Sequence, residues 1–426
     1  MHKPLVLVVP LLTVALAGCG GSHRAPTAAR PTPSGFVVQR AIADPLCNVG
    51  RGIRVQAPSA VNTVLASGNL LDGSTLVVLT PSDPGKPTAI LHSFTRRCAP
   101  NRRFGQDGVR TVAIPAPSRP AHRLWLFVVT PERGGGAIVA GTYSNRWVVG
   151  EITSDGHMDK TFGDGGWSVL AFDGEVTTAL QERSGRILLG GDDSPLGNLV
   201  VAVSPRGSLE NSFGTHGRVG LLSRGPDSGV EGLALEPNGD ILTEVGYGNN
   251  GCWGESLAMF TPSGRHVPRF QQRLARFWKR LNFDAFVGSV YTSHSGFTLV
   301  GTGEPDCDGY ARQKVTGLIA RFRPDGERVG RLIRHPSRMY GQIEAFDAGG
   351  ETFSVEVPYV NRTRITLTTR RRDGSLNDSA SLRTRWGGEV AKYGTTVSFS
   401  RAGPKAIVVV AQRDDRGGLH LVRVRF

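Results

Sequence analysis

The chain has 426 residues, of which 39% are hydrophobic, 20% charged and 7% aromatic. That apolar share suffices for a packed core and excludes wholesale disorder, while 56 glycines and 26 prolines without a collagen period point to short strands and turns. The net charge of +14 comes from 50 basic and 36 acidic residues spread along the chain, with no basic run longer than Arg370-Arg371-Arg372; this pattern favours a basic solvated surface over a nucleic-acid binder.

Met1-His2-Lys3 is a short basic start, and the apolar run Leu5 to Ala17 is too short to span a bilayer as a helix. It ends in Leu16-Ala17-Gly18-Cys19, which matches the bacterial lipobox. The match implies a signal peptide over residues 1–18, cleavage before Cys19, and acylation of its thiol by chains such as palmitate. Each buried CH₂ contributes about 0.8 kcal/mol, so two chains anchor stably. Residues 19–35 then read as the lipidated Cys and a small, proline-rich tether. The expected location is the outer face of a bacterial cell membrane.

From residue 36 a repeat with a period in the mid-fifties takes over. Its most specific element is Phe104-Gly105-Gln106-Asp107-Gly108, Phe162-Gly163-Asp164-Gly165-Gly166 and Phe213-Gly214-Thr215-His216-Gly217. Turn signals precede the second and third copies at Asp155-Gly156 and Arg206-Gly207, and recur at Gly264, Gly326 and Gly374 without the Phe-Gly. A first series of turns, at Gly73, Gly135, Gly185, Gly239, Gly296, Gly350 and Gly403, separates paired apolar runs and reads as two-residue hairpin loops. Four short strands per unit is the pattern of a propeller blade. The expected fold is therefore all-β: a single β-propeller over residues 36–426, with seven four-stranded blades. Because the last unit stops after its third strand, residues 53–56 are expected to supply its fourth and close the ring. No role is evident for Phe36–Ile42.

The segments around Phe162 and Phe213 resemble the delta-60 repeat of secreted bacterial proteins, which implies an extracytoplasmic interaction scaffold and brings no catalytic motif. Cys47, Cys98, Cys252 and Cys307 form an even set that allows three pairings in an oxidising compartment. In the repeat frame Cys252 and Cys307 fall in equivalent loops of neighbouring blades, and Cys47 and Cys98 flank the closure, so 252–307 and 47–98 are the expected disulfides.

At the entry to the first strand of each unit, Asp173, Asp227 and Asp284 hold equivalent places, with Arg123 and Arg338 in two others. These five could ring one mouth of the channel, where three carboxylates suit a hard cation such as Ca²⁺ or a cationic ligand; the alternative is Asx turns. Otherwise no cofactor is expected. Asp192-Asp193, Glu304, Asp306, Asp308 and Asp414-Asp415 lack any calcium-loop spacing and read as solvated loop charge.

The basic stretch Arg269 to Leu281 places Phe270, Leu274, Phe277 and Leu281 at near-helical spacing. It falls where a fourth strand belongs, with Phe270 standing in for the repeat's Phe, so a lengthened blade edge is preferred to a helix that binds anionic headgroups or polymer. His92, His122, His294 and His335 form no recognisable catalytic spacing. The expected function is a monomeric, non-catalytic scaffold for an envelope polymer, glycan or protein; the alternative is an exported propeller enzyme of the lyase or quinone-dependent type.

Overall fold

A computed structural model describes residues 36–39, 44–54, 63–81, 87–114, 123–193, 196–221, 229–249, 252–281, 285–293, 296–304, 316–336, 341–348, 351–358, 364–371, 375–384, 390–402, 405–414 and 418–425. Two strands, β1 (Phe36–Gln39) and β2 (Asp44–Arg54), come first in the chain but join sheets built from much later segments. The first sheet is β3 (Thr63–Asn69), β4 (Thr75–Pro81), β5 (Thr88–Phe94) and β6 (Val109–Ala113). The second is β7 (Leu124–Pro131), β8 (Ala137–Tyr143), β9 (Arg146–Ile152) and β10 (Trp167–Asp173). The third is β11 (Val176–Gln181), β12 (Ile187–Asp193), β13 (Gly197–Val203) and β14 (Arg218–Gly220).

The fourth sheet has three strands, β15 (Gly229–Leu235), β16 (Ile241–Asn249) and β17 (Cys252–Phe260), and is followed by the helix α1 (Pro268–Leu281). The fifth is β18 (Ala285–Ser293), β19 (Gly296–Glu304), β20 (Thr316–Phe322) and β21 (Arg328–Pro336). The sixth is β22 (Gly341–Ala348), β23 (Glu351–Pro358), β24 (Arg364–Arg370) and β25 (Leu376–Thr384), with β1 added antiparallel to β25 as a fifth strand. The last is β26 (Val390–Ala402), β27 (Lys405–Asp414) and β28 (Gly418–Arg425), with β2 antiparallel to β28.

Every sheet is antiparallel, a meander apart from the added β1 and β2, and the first strands of successive sheets touch: β3 with β7, β7 with β11, β11 with β15, β15 with β18, and β18 with β22. β22 then reaches β27, and β26 returns to β3. This all-β ring order is that of a β-propeller-like fold. Strand number departs from the expected four in two sheets, and the strand that joins β28 covers residues 44–54 rather than 53–56.

The core lies between sheets. Phe104 and Trp167 belong to the cluster shared by the first and second, Phe162 and Trp147 to that of the second and third, and Phe213 and Phe260 to that of the third and fourth. The Phe-Gly motif is the clasp between them. Each Phe is buried, and the amide of the following glycine donates to a turn carbonyl of the next sheet: Gly105 to Asp155, Gly163 to Arg206 and Gly214 to Ser263, at 2.8–2.9 Å. Gly163 has φ +55°, and a Cβ there would stand 2.0 Å from the Trp167 carbonyl oxygen, so no other residue fits.

The turns expected as two-residue loops divide: those at Gly73, Gly135, Gly185 and Gly239 have three residues, the Gly185 amide donating to the Glu182 carbonyl at 3.1 Å, whereas the pairings Ser293–Gly296, Ala348–Glu351 and Ala402–Lys405 leave two residues between the strands. The second series has the same three-residue form. In Ser154-Asp155-Gly156 the Gly156 amide donates to the Thr153 carbonyl, and glycine takes the left-handed position after a tight turn (φ +90°).

α1 corrects the expected blade edge. It buries Phe270, Leu274, Phe277 and Leu281 against Phe297 and Phe322 of the fifth sheet. Pro268 opens the helix where its missing N–H costs nothing. Phe270 does stand in the repeat's Phe position, because a Cβ on Gly326 would meet its ring at 2.9 Å, as a Cβ on Gly156 would meet Phe104. Arg273, ion-paired with Asp325, ties the helix to the same turn.

Candidate functional site

The innermost strands β7, β11 and β15 share one irregularity. In each, the register against its neighbour slips by a residue, leaving Phe127, Thr177 and Glu231 as bulges at matching distances before the turn glycine. A bulge re-aims a side chain that regular pleating would send elsewhere. The Thr177 hydroxyl donates to the Val230 carbonyl, binding β11 to β15 at this level.

Glu231 is half-buried, and its carboxyl is pushed up to about 7, first by loss of water and then by the charge of Asp192. Asp192, next to last in β12, lies beside Glu175, and burial raises both carboxyls; the Asp192 charge adds to the rise of Glu175. The Glu175 amide donates to Asp192 Oδ1 at 2.9 Å, and the Asp192 amide to the Glu175 carbonyl at 3.1 Å. Trp147, fully buried, donates its indole N–H to the Asp192 carbonyl at 2.9 Å. The crossover from the second sheet to the third is thus pinned. Gly174, its centre, would press any Cβ to 2.4 Å from the Asp192 carbonyl oxygen. Asp192 thus stands beside Glu175 and acts through its charge on Glu231, where the third and fourth sheets adjoin.

Asp173 closes β10, the outermost strand of its sheet, with its side chain exposed. Its charge adds to the upward shift of Asp193, which burial dominates and Arg218 opposes. Asp193 is 3% exposed, so the expected solvated pair Asp192-Asp193 is instead one half-buried and one buried carboxylate. Arg123 lies exposed just before β7, its carbonyl accepting the Ser144 amide at 2.9 Å. Asp227, Asp284 and Arg338 lie outside the described residues, as do Cys19, Cys307, Asp306, Asp308 and Asp415. The backbones of Cys47, Cys252, Glu304 and Asp414 lie on β2, β17, β19 and β27, but their side chains are not described.

Cys98 is buried and disulfide-bonded. His92 is buried in β5, and loss of water lowers its imidazole to about 4, so it is neutral at ordinary pH. His122 and His294 are outside the described residues, and only the backbone of His335 is described, on β21. Among the described residues no three His, Cys, Asp or Glu are placed to hold a metal ion. A separate groove of about 300 Å³, lined by Leu199, Thr215, Arg218 and His266, opens between the third and fourth sheets. No described helix is long and apolar enough to cross a membrane.

Glu175 and Glu231 were not legible as site residues. Glu231 stands on a bulge, which leaves no mark in the apolar alternation.

No family model matches the chain, and no curated protein does. Among solved structures it is similar to polysaccharide lyase Uly1, at 10% identity and a TM-score of 0.47 over 85% of this chain and 89% of that one. It is also similar to a putative 6-phosphogluconolactonase from Bacteroides fragilis, at 11% identity and a TM-score of 0.38, covering 82% and 95%. A prolyl endopeptidase matches at 13% identity and a TM-score of 0.44, over 86% of this chain and 50% of its own. The ring order of the sheets, not these distant likenesses, carries the fold.

Proposed function

We propose that this chain is a bacterial surface lipoprotein of the delta-60 kind, anchored through Cys19. Residues 36–426 form one closed seven-bladed propeller that acts as a non-catalytic scaffold for an envelope polymer, glycan or protein. The observation that carries the reading is Leu16-Ala17-Gly18-Cys19, placed ahead of a proline-rich tether and a chain given over almost wholly to self-pairing sheets. The Phe-Gly motif supports it, because the repeat's most specific residues hold sheets together and leave the loops free to vary.

Closure by a 47–98 disulfide is supported by register. Cys47 lies opposite Arg423, whose guanidinium donates to the Gly73 carbonyl at 2.7 Å, in the sheet whose β5–β6 loop carries Cys98. The matching 252–307 pair is proposed on the repeat frame alone.

A second reading, an exported enzyme or cation-binding propeller with its site at the channel mouth, is favoured by one observation. Glu231, pushed up to about 7 by burial and by the charge of Asp192, exchanges a proton near neutral pH.

The anchoring claim is tested by expressing the chain in a bacterium with lipoprotein processing. The wild type should take up labelled acyl chain and fractionate with membranes, whereas Cys19→Ala should do neither. Equal partitioning of the two, with no label, would remove the lipid anchor.

A further inference from the structure

The face of α1 opposite its buried stripe carries Arg269, Gln272, Arg276, Lys279 and Arg280, all exposed. The helix contains no acidic residue. Its fifth cation, Arg273, is half-exposed and committed to Asp325, with Glu327 close by. Arg269, Arg276, Lys279 and Arg280 make no ion pair among the described residues. At 1.5 Å per residue they form a flat stripe about 16 Å long. The apolar face is already consumed by the fifth sheet, so the helix has nothing to insert into a hydrocarbon layer. Its free chemistry is positive charge alone.

We propose that α1 is an electrostatic docking face for the anionic phosphate headgroups of a bilayer, laying the propeller's rim on the membrane. The choice of a membrane rests on the lipid-anchor reading. A tether over residues 20–35 has a reach of roughly 20–25 Å, which holds the helix at high effective concentration near the surface that bears the acyl chains. An acyl anchor plus a basic patch is a stable two-part membrane attachment. Cations spread along one face of a straight helix suit a planar array of phosphates.

The test uses residues 20–426, which keep every described strand and helix and lack the acylated thiol. Its binding to phosphatidylcholine vesicles is compared with binding to vesicles that also contain phosphatidylglycerol. The chain should bind only the anionic vesicles and be released at about 0.5 M salt, where screening lengths fall to a few ångströms. An R269Q/R276Q/K279Q/R280Q variant, with an unchanged circular dichroism spectrum, should bind roughly a thousandfold more weakly. Absence of binding to anionic vesicles overturns the proposal, and so does a variant that binds as tightly as the parent. Binding to soluble polyphosphate but not to vesicles also overturns it, in favour of a polymer ligand. Because the chain tested has no Cys19, these outcomes are independent of acylation, which the fractionation experiment reads separately.

Discussion

Phe162 lies in a loop yet is 1% exposed, filling the space between two sheets while Gly163 ties its backbone to the second of them. Removing such a ring leaves a cavity that the surrounding strands cannot close. Phe162→Ala should therefore cost about 3–5 kcal/mol, read as a lower urea midpoint at unchanged slope. Glu236 shows the opposite case, a side chain that weakens the fold. In the third sheet's turn, Glu182 pairs with Arg186 four residues on; in the fourth sheet's turn the equivalent positions are Glu236 and Asp240. Glu236 is 3% exposed, neither carboxyl oxygen has a hydrogen-bond partner, and burial followed by the Asp240 charge pushes it up to about 7. Its ordinary value is 4.5, so the folded state holds the proton more tightly than the unfolded state. The penalty is absent below about pH 4.5, grows as pH rises, and is complete above about pH 7. Glu236→Gln should be more stable than the parent by about 2–3 kcal/mol at pH 8 and no more stable at pH 4. An equal gain at both pH values would show that charge is not the cause.

At the scale of elements, α1 does with a helix what the other clasps do with a loop. Phe270 reaches the Gly326 turn as Phe104 reaches Gly156, and Arg273 supplies the tie that a glycine amide supplies elsewhere. Phe270→Ala should thus lose as much stability as Phe162→Ala; a loss under about 1 kcal/mol would mean that the helix merely lies against the sheets. The helical spacing of Phe270, Leu274, Phe277 and Leu281 was visible in the sequence, but the repeat frame argued for a strand there. Repeat position proved a guide to which side chain fills the interface, not to the backbone that carries it. The turn glycines were legible because left-handed backbone selects glycine; Gly135, Gly185, Gly239 and Gly264 all have positive φ. Glu175 and Glu231 were not, since Glu231 depends on a bulge and Glu175 on a crossover whose path is set by Trp147 and Asp192, distant in sequence. β1 escaped notice for a similar reason, as its partner β25 lies at the far end of the chain.

At the scale of the whole molecule, the account turns on closure. An open ring would leave the outer edge of β28 and the inner face of β3 unpaired, a hazard that β2 and β26 remove by pairing with the one and packing on the other. A disulfide between Cys47 and Cys98 would fasten the same seam covalently, on a loop long enough for the chain-entropy gain to reach about 4 kcal/mol. The most direct measurement is peptide mapping of the purified, exported protein without reductant, followed by mass spectrometry of the linked fragments. The account predicts that Cys98 is joined to Cys47, and Cys252 to Cys307. A bond from Cys98 to Cys252 or Cys307 would contradict it, because it would leave the seam between the last sheet and the first without its covalent tie.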